Sequence, residues 1–231
     1  QGCRSYRKLD GTFAQLPTGP GDEVLQPLAA DLCGNLWGLH PGSDATQVFV
    51  LPADVPDQWR QIPTESGSWE HLAIDHLGFV WIAGPAGCRR FSPRSPEAIW
   101  QTPAGATGDS PVTAMGISPE GLALVALRSG DVFEVDIDAA GETDTRLIGS
   151  VPSAVHLIYS DPRGLIWIAA EDGLYCETAL ADDRHQNWVL LPGRLPGGGN
   201  HDIFSVAVNE RLYVAGGLSR FWGYPTTQHV F

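Results

Sequence analysis

The chain has 231 residues, enough for one large domain, with 27 Gly and 18 Pro spread along it and a formal net charge of −13. That Gly and Pro content favours many turns and short elements over long helices, and no run of about 18 apolar residues offers a transmembrane span. The acidity, with thirteen Arg and one Lys (Lys8) scattered rather than striped, argues against nucleic acid and against anionic membrane surfaces, since both require basic patches.

Taken in chain order, GCRSYRKLDGTFAQLP (2–17) reads as two short strands, and its layout matches GCRRFSPRSPEAIWQTP further on (87–103). An alternating apolar segment, VLQPLAAD (24–31), then leads into ADLCGNLWGL (30–39), which contains Asp, two residues, Gly, two residues, Trp. The same order returns in WEHLAID (69–75) with IDHLGFVWIAG (74–84), and in AVHLIYSD (154–161) with SDPRGLIWIA (160–169). A degenerate copy, PVTAMGIS (111–118) with ISPEGLALVA (117–126), keeps Gly121 and is read with Ser118 for Asp and Ala123 for Trp. The last copy, IFSVAVN (203–209) with VNERLYVAGG (208–217), keeps only Asn209 and puts Tyr213 in the aromatic slot.

The turn positions 31, 75, 118, 161 and about 209 step by roughly 44 residues, the length of a four-stranded propeller blade. Four of the copies continue into a Gly-led third strand: GCRRFSP (87–93), GDVFEVD (130–136), GLYCET (173–178) and GLSRF (217–221). A fourth strand ends on an aromatic-x-x-aliphatic-Pro signature, as in WRQIP (59–63), WVLLP (188–192) and FAQLP (13–17), with IWQTP (99–103) a near relative. No segment sustains helical periodicity. Short strands at this spacing with Gly, Pro and Asp turns predict an all-β, five-bladed β-propeller of four-stranded antiparallel blades. One domain over 1–231 is expected, with blades at about 19–63, 64–104, 105–150, 151–193 and 194–231. Residues 1–18 are expected to supply the strand that closes the last blade, because radial folds hide their sheet edges. The chain opens at Gln1 without Met, as a processed or excised segment does, so compartment is not read from its front end.

Asp75 and His76 stand side by side before Trp81, and they raise the question of an acid–base pair with an aromatic platform. The repeat answers it. Asp31, Gly34 and Trp37, Asp75, Gly78 and Trp81, and Asp161, Gly164 and Trp167 form one trio three times over, and a catalytic dyad is normally present once. The aspartate is expected to accept backbone N–H groups as an Asx turn, the glycine to free the turn, and the tryptophan to wedge between blades. His76 falls in a variable turn slot and reads as an exposed loop residue.

These motifs resemble the propeller repeat of two-component regulators, through D-x-x-G-x-[LVI]-W-[GI]-x followed by G-x-x-R-F. The likeness spans the whole chain and is most developed in ADLCGNLWGLH, AIDHLGFVWIAGPAGCRRFSP, YSDPRGLIWIAAEDGLY and VAGGLSRF. The resemblance implies a sensor or scaffold portion, in an extracytoplasmic or periplasmic setting, with no universal catalytic residue to transfer. The W-x-x-I-P then L-x-I-x-D order at 59–75 is also similar to tectonin-like and five-bladed lectin propellers, which bind sugars or protein partners.

In propellers the fourth-to-first and second-to-third strand loops gather on one face, the default ligand position. That placement singles out Asp22, Glu65, Trp69, Glu70, Asp109, Glu171, His201 and Asp202 as ligand-binding candidates. Trp69 lies outside the repeated indole slots and could stack on a sugar or hold a cation; the alternative is a strand-start packing residue. The loop around LPGGGNHD (195–202) could be a mobile ligand loop or a spacer between blades. Glu70, Asp109 and Asp202 could together reach the geometry of a glycan-active hydrolase or lyase, which needs two carboxyls roughly 5 to 10 Å apart. DIDAAGETD (136–144) is similar to a calcium loop but has Ala140 where a ligand should stand, so an acidic hairpin turn is expected. His71 and His156 lie near two strand starts and lack a third partner. Cys3, Cys33, Cys88 and Cys176 show neither CxxC nor zinc spacing; their even count permits two disulfides with no pairing selected by the spacing, and free buried thiols are the expectation for a domain this large. No metal, cofactor or catalytic residue is expected. The expected partner is a small ligand, a glycan or a protein, in a chain that could belong to a larger assembly.

Overall fold

The computed structural model describes residues 5–7, 13–15, 17, 19, 25, 28–42, 44–55, 57–64, 66–93, 110–137, 143–161, 164–177, 188–190, 205–208, 211–216 and 220–225. Among them there is no helix; all regular structure is strand. The chain divides into two compact units, Gln1–Gln101 and Thr102–Phe231.

In the first unit, β1 (Ser5–Arg7) pairs with β2 (Phe13–Gln15) as a hairpin. Sheet I follows as the meander β3 (Leu28–Ala30), β4 (Leu36–Pro41), β5 (Thr46–Leu51) and β6 (Arg60–Ile62). Sheet II is β7 (His71–Ile74), β8 (Val80–Gly84) and β9 (Gly87–Phe91); the segment IWQTP, expected as its fourth strand, lies outside the described residues. In the second unit, sheet III is β10 (Val112–Ile117), β11 (Ala123–Leu127), β12 (Asp131–Ile137) and β13 (Thr143–Ser150). Sheet IV is β14 (Val155–Ser160), β15 (Ile166–Ala170), β16 (Gly173–Glu177) and β17 (Trp188–Leu190). Sheet V is β18 (Ser205–Val208), β19 (Arg211–Gly216) and β20 (Arg220–Pro225). Every pairing is antiparallel between chain neighbours. The fifth third-strand runs Arg220–Pro225, a few residues later than GLSRF suggests.

The first hairpin of each sheet explains why Asp and Trp travel together. In sheet II one carboxylate oxygen of Asp75 accepts the backbone N–H groups of Leu77 and Phe79, each at 2.9 Å. The other accepts the indole N–H of Trp81 at 3.0 Å. Asp31 does the same for Cys33, Asn35 and the Trp37 indole, and Asp161 for Leu165 and the Trp167 indole. The turn glycines, such as Gly78 at φ +86°, occupy the left-handed region, which a side chain at that position would strain. A buried indole N–H needs an acceptor, and the turn aspartate is the acceptor within reach six residues back.

Register corrects one expectation. Trp37 pairs with Ala29, Trp81 with Ala73 and Trp167 with Tyr159. In sheet III the residue at that register is Leu124, opposite Gly116, while Ala123 pairs with Ile117. Leu124 therefore fills the indole slot, six residues after Ser118, and Ala123 points to the other face, because successive strand residues alternate sides. Ser118 then has no indole to bind, and among the described residues its hydroxyl accepts the Leu122 N–H, at 3.2 Å. Tyr213 stands opposite Ala207, in the register of the indoles.

Between sheets I and II the core includes Trp37, Leu39, Val48 and Val50 on one side and Trp69, Val80, Ile82 and Phe91 on the other. Trp37 meets Phe91 edge-on, ring centres 6.0 Å apart, so this indole does pack between sheets. Trp81 is 1% exposed, and the buried Arg90 guanidinium lies 4.3 Å from the Phe79 ring centre and 5.7 Å from that of Trp81. Between sheets III and IV the core includes Leu124, Ala126 and Val132 facing Ile158, Ile166 and Ile168. Cys88 and Cys176 are buried free thiols and Cys33 an exposed one.

Candidate functional site

Hydrogen bonds bring the two loop types together along one edge within each unit. In the first, the Thr46 N–H donates to the Gly67 carbonyl at 2.9 Å, and the Thr46 hydroxyl accepts the Trp69 N–H at 3.0 Å. That joins the β4–β5 turn to the segment leading into β7. In the second, the Val151 N–H donates to the Gly130 carbonyl at 3.0 Å, joining the β11–β12 turn to the β13–β14 loop. Gly130 has φ +91°, and a Cβ there would come within 2.0 Å of the Val151 carbonyl oxygen, so the contact depends on a bare backbone.

Of the sequence candidates, Trp69 is 3% exposed and packs in the core between sheets I and II, with the Arg89 guanidinium 5.5 Å from its ring centre. Its ring faces are covered, which is the arrangement of a strand-start packing residue. Its indole N–H meets no acceptor among the described residues. Glu70 is exposed, and its N–H donates to the Ala83 carbonyl at 2.9 Å. Glu171 is also exposed, with its N–H on the Ala154 carbonyl at 3.0 Å. They belong to different units. Asp22, Glu65, Asp109, His201 and Asp202 lie outside the described residues. His76 is exposed at its turn, His71 is partly buried in β7, and His156 is exposed in β14. Ile137 and Thr143 pair at the ends of β12 and β13; residues 138–142 of the acidic stretch lie outside the described residues.

Among the described residues of the second unit, two aspartates gather hydroxyl partners at the loop edge. Asp172 accepts hydroxyl hydrogen bonds from Ser153 and Tyr175. Asp131 accepts them from Ser129 at 2.8 Å and from Ser150. Burial pushes the Asp172 carboxyl up, but the bonds from Ser153, Tyr175 and its own backbone outweigh this and hold it below its ordinary 3.8. Tyr175 moves the other way, raised by burial, by its bond to Asp172 and by that carboxylate's charge. The pair is thus fixed as a carboxylate acceptor and a phenol donor around neutral pH, with neither poised to exchange a proton. Ser129, Asp131, Ser150, Ser153 and Tyr175 were not singled out by sequence; the available signal was an Asp beside each turn glycine, in RSGD and AEDG. Among the described residues no group of three or more His, Cys, Asp or Glu could hold a metal, and no helix is long and apolar enough to cross a membrane.

No protein-family model matches the chain, and no curated relative matches it. Solved structures do. PorZ, a bacterial surface component of the type-IX secretion system of Porphyromonas gingivalis, aligns with TM-score 0.68 at 20% identity over 94% of this chain and 35% of its own. The extracellular domain of the putative hybrid two-component system BT3049 from B. thetaiotaomicron aligns with TM-score 0.61 at 17% identity, over 86% of this chain and 28% of its own. Streptogramin B lyase aligns with TM-score 0.64 at 13% identity, over 92% and 68%. The chain therefore spans about a third of the length of PorZ. All three neighbours are β-propeller-like, and the fold of this chain is of the β-propeller class.

Proposed function

We propose that this chain is a non-enzymatic recognition module, binding a small ligand or a protein partner through the loop edges of its sheets as a sensor or scaffold element. The observation behind this reading is that two described loop-edge aspartates are engaged in holding the edge together: Asp172 accepts hydroxyl bonds from Ser153 and Tyr175, and Asp131 from Ser129 and Ser150. General acid–base catalysis needs a side chain able to pass its proton to a substrate, and these two aspartates are occupied in joining loop to turn. The repeated aspartates are equally committed, each to a turn and an indole. The likeness to the two-component-regulator repeat, and to PorZ and the BT3049 extracellular domain in fold, supports a sensor or surface-scaffold role in an extracytoplasmic setting.

Likeness in fold to streptogramin B lyase keeps an enzymatic reading as the competitor, and carbohydrate binding is the form recognition takes in the lectin reading. The test uses the full chain on a glycan array and in a thermal-shift panel of sugars and amino acids, beside Glu70→Ala and Glu171→Ala. A ligand bound without turnover, with affinity reduced about tenfold in one variant, supports recognition. Chemical conversion of any bound compound, abolished by either substitution, replaces it with the enzymatic reading.

A further inference from the structure

The seam between sheets I and II and the seam between sheets III and IV are built differently at matched registers. In the seam between sheets I and II, Trp37 and its cross-strand partner Val50 come from sheet I. Sheet II meets them with Phe91, cross-strand from Val80, and the indole lies edge-on against it. In the seam between sheets III and IV, Leu124 replaces the indole and its cross-strand partner is Glu134 in place of Val50. Trp167 pairs with Cys176 as Trp81 pairs with Arg90, so Glu177 occupies in sheet IV the place of Phe91. An aromatic plug has been exchanged for two carboxylates at the matching registers, near enough for the charge of one to act on the other.

Their surroundings are unequal. Glu134 is ion-paired with Arg146 of β13, whose Nε donates to it at 3.1 Å. Glu177 is half-buried and accepts only the backbone N–H of Ile166, at 3.3 Å, among its described bonds. Among the described residues, the charges that act on it are those of Glu120 from the turn of sheet III, Glu134 of β12 and Arg146 of β13. Trp188, its cross-strand partner in β17, packs on the same core, and its indole N–H meets no acceptor among the described residues. Sheet III also lacks the Asp–Trp bracket that fastens the first hairpin of sheets I, II and IV.

We propose that the seam between sheets III and IV is a proton-controlled point of local opening, held shut when Glu177 is neutral and loosened when it ionises opposite Glu134. Burial pushes the Glu177 carboxyl above its ordinary 4.5; the Ile166 N–H opposes this, the charges of Glu120 and Glu134 add to it, and Arg146 works against them. A raised carboxyl means the closed seam holds the proton more tightly than the open one. Its contribution is present in full below pH 4.5 and is lost as pH rises through the elevated value. The seam between sheets I and II has no carboxylate at the matching positions, so its opening should not follow pH in this way.

Amide hydrogen exchange on the full chain, corrected for intrinsic rates, tests this between about pH 4.5 and about pH 7. The opening equilibrium of β12 and β16 should rise about three- to tenfold across that range, while β4 and β5 stay flat. Glu177→Gln should abolish the rise. Glu134→Gln, which removes one like charge and leaves Glu177 titratable, should reduce it and serves if the first variant does not fold. The proposal is overturned if β4 and β5 respond as strongly as β12 and β16, or if the response survives Glu177→Gln undiminished. Without a folded Glu177→Gln, an unreduced response in Glu134→Gln also overturns it.

Discussion

Replacing Asp75 by asparagine changes one atom of a buried bracket that holds three N–H donors. The amide oxygen can still receive Leu77 and Phe79, though as a neutral acceptor, which weakens each bond by about 0.5–1 kcal/mol. The amide nitrogen now confronts the Trp81 indole N–H from 3.0 Å, donor against donor. At 1% exposure the indole has no water to turn to, and an orphaned buried donor costs about 1–3 kcal/mol. The sum is about 2–5 kcal/mol. A double-mutant cycle isolates the indole's part: in a Trp81→Phe background there is no indole N–H to orphan. The cost of Asp75→Asn should then fall by about 1–3 kcal/mol. Urea unfolding followed by far-ultraviolet circular dichroism measures all four proteins without relying on tryptophan emission. A coupling below about 0.5 kcal/mol would refute the claim that the carboxylate and the indole are one device, since that is the scatter of independent sites.

The empty bracket of sheet III gives a complementary test. Leu124→Trp alone should destabilise by about 1–3 kcal/mol through overpacking, and Ser118→Asp added to it should recover part of the loss in the same unfolding assay. Gly130→Ala should cost more than 2 kcal/mol, roughly, because it combines the left-handed backbone with a collision on the Val151 carbonyl. Gly34→Ala, whose new Cβ would meet only Ala53 at 3.5 Å, should cost about 1 kcal/mol. The folded-state carboxyl of Asp172 is depressed, so its stabilising effect is present above pH 3.8 and fades as pH falls through the lower folded value. Asp172→Asn should therefore flatten the acid limb of a stability–pH curve, and an unchanged limb would remove Asp172 from its cause. Burial pushes the Cys88 thiol up to about 12, leaving almost no thiolate at neutral pH. A colorimetric thiol reagent should label Cys33 promptly and reach Cys88 and Cys176 only on unfolding.

Period and alternation in the chain were sufficient for the strand order, the all-β class and the structural role of Asp31, Asp75 and Asp161, because those depend on turns and on neighbours a few residues apart. They were insufficient for the indole slot of sheet III: with neither Asp nor Trp to mark the spacing, Ala123 and Leu124 look alike, and only the pairing of Leu124 with Gly116 separates them. The buried state of Trp69 was likewise a matter of what lies across the seam, namely Trp37, Val48 and their neighbours from sheet I. The clasp of Ser153 and Tyr175 on Asp172 joins a loop to a turn 19 residues away, a distance no local pattern encodes. Local periodicity follows from each strand's own geometry, so it is written along the chain. Which carboxylate faces a phenol, an indole or another carboxylate is decided where separate sheets meet, and only their packing supplies that.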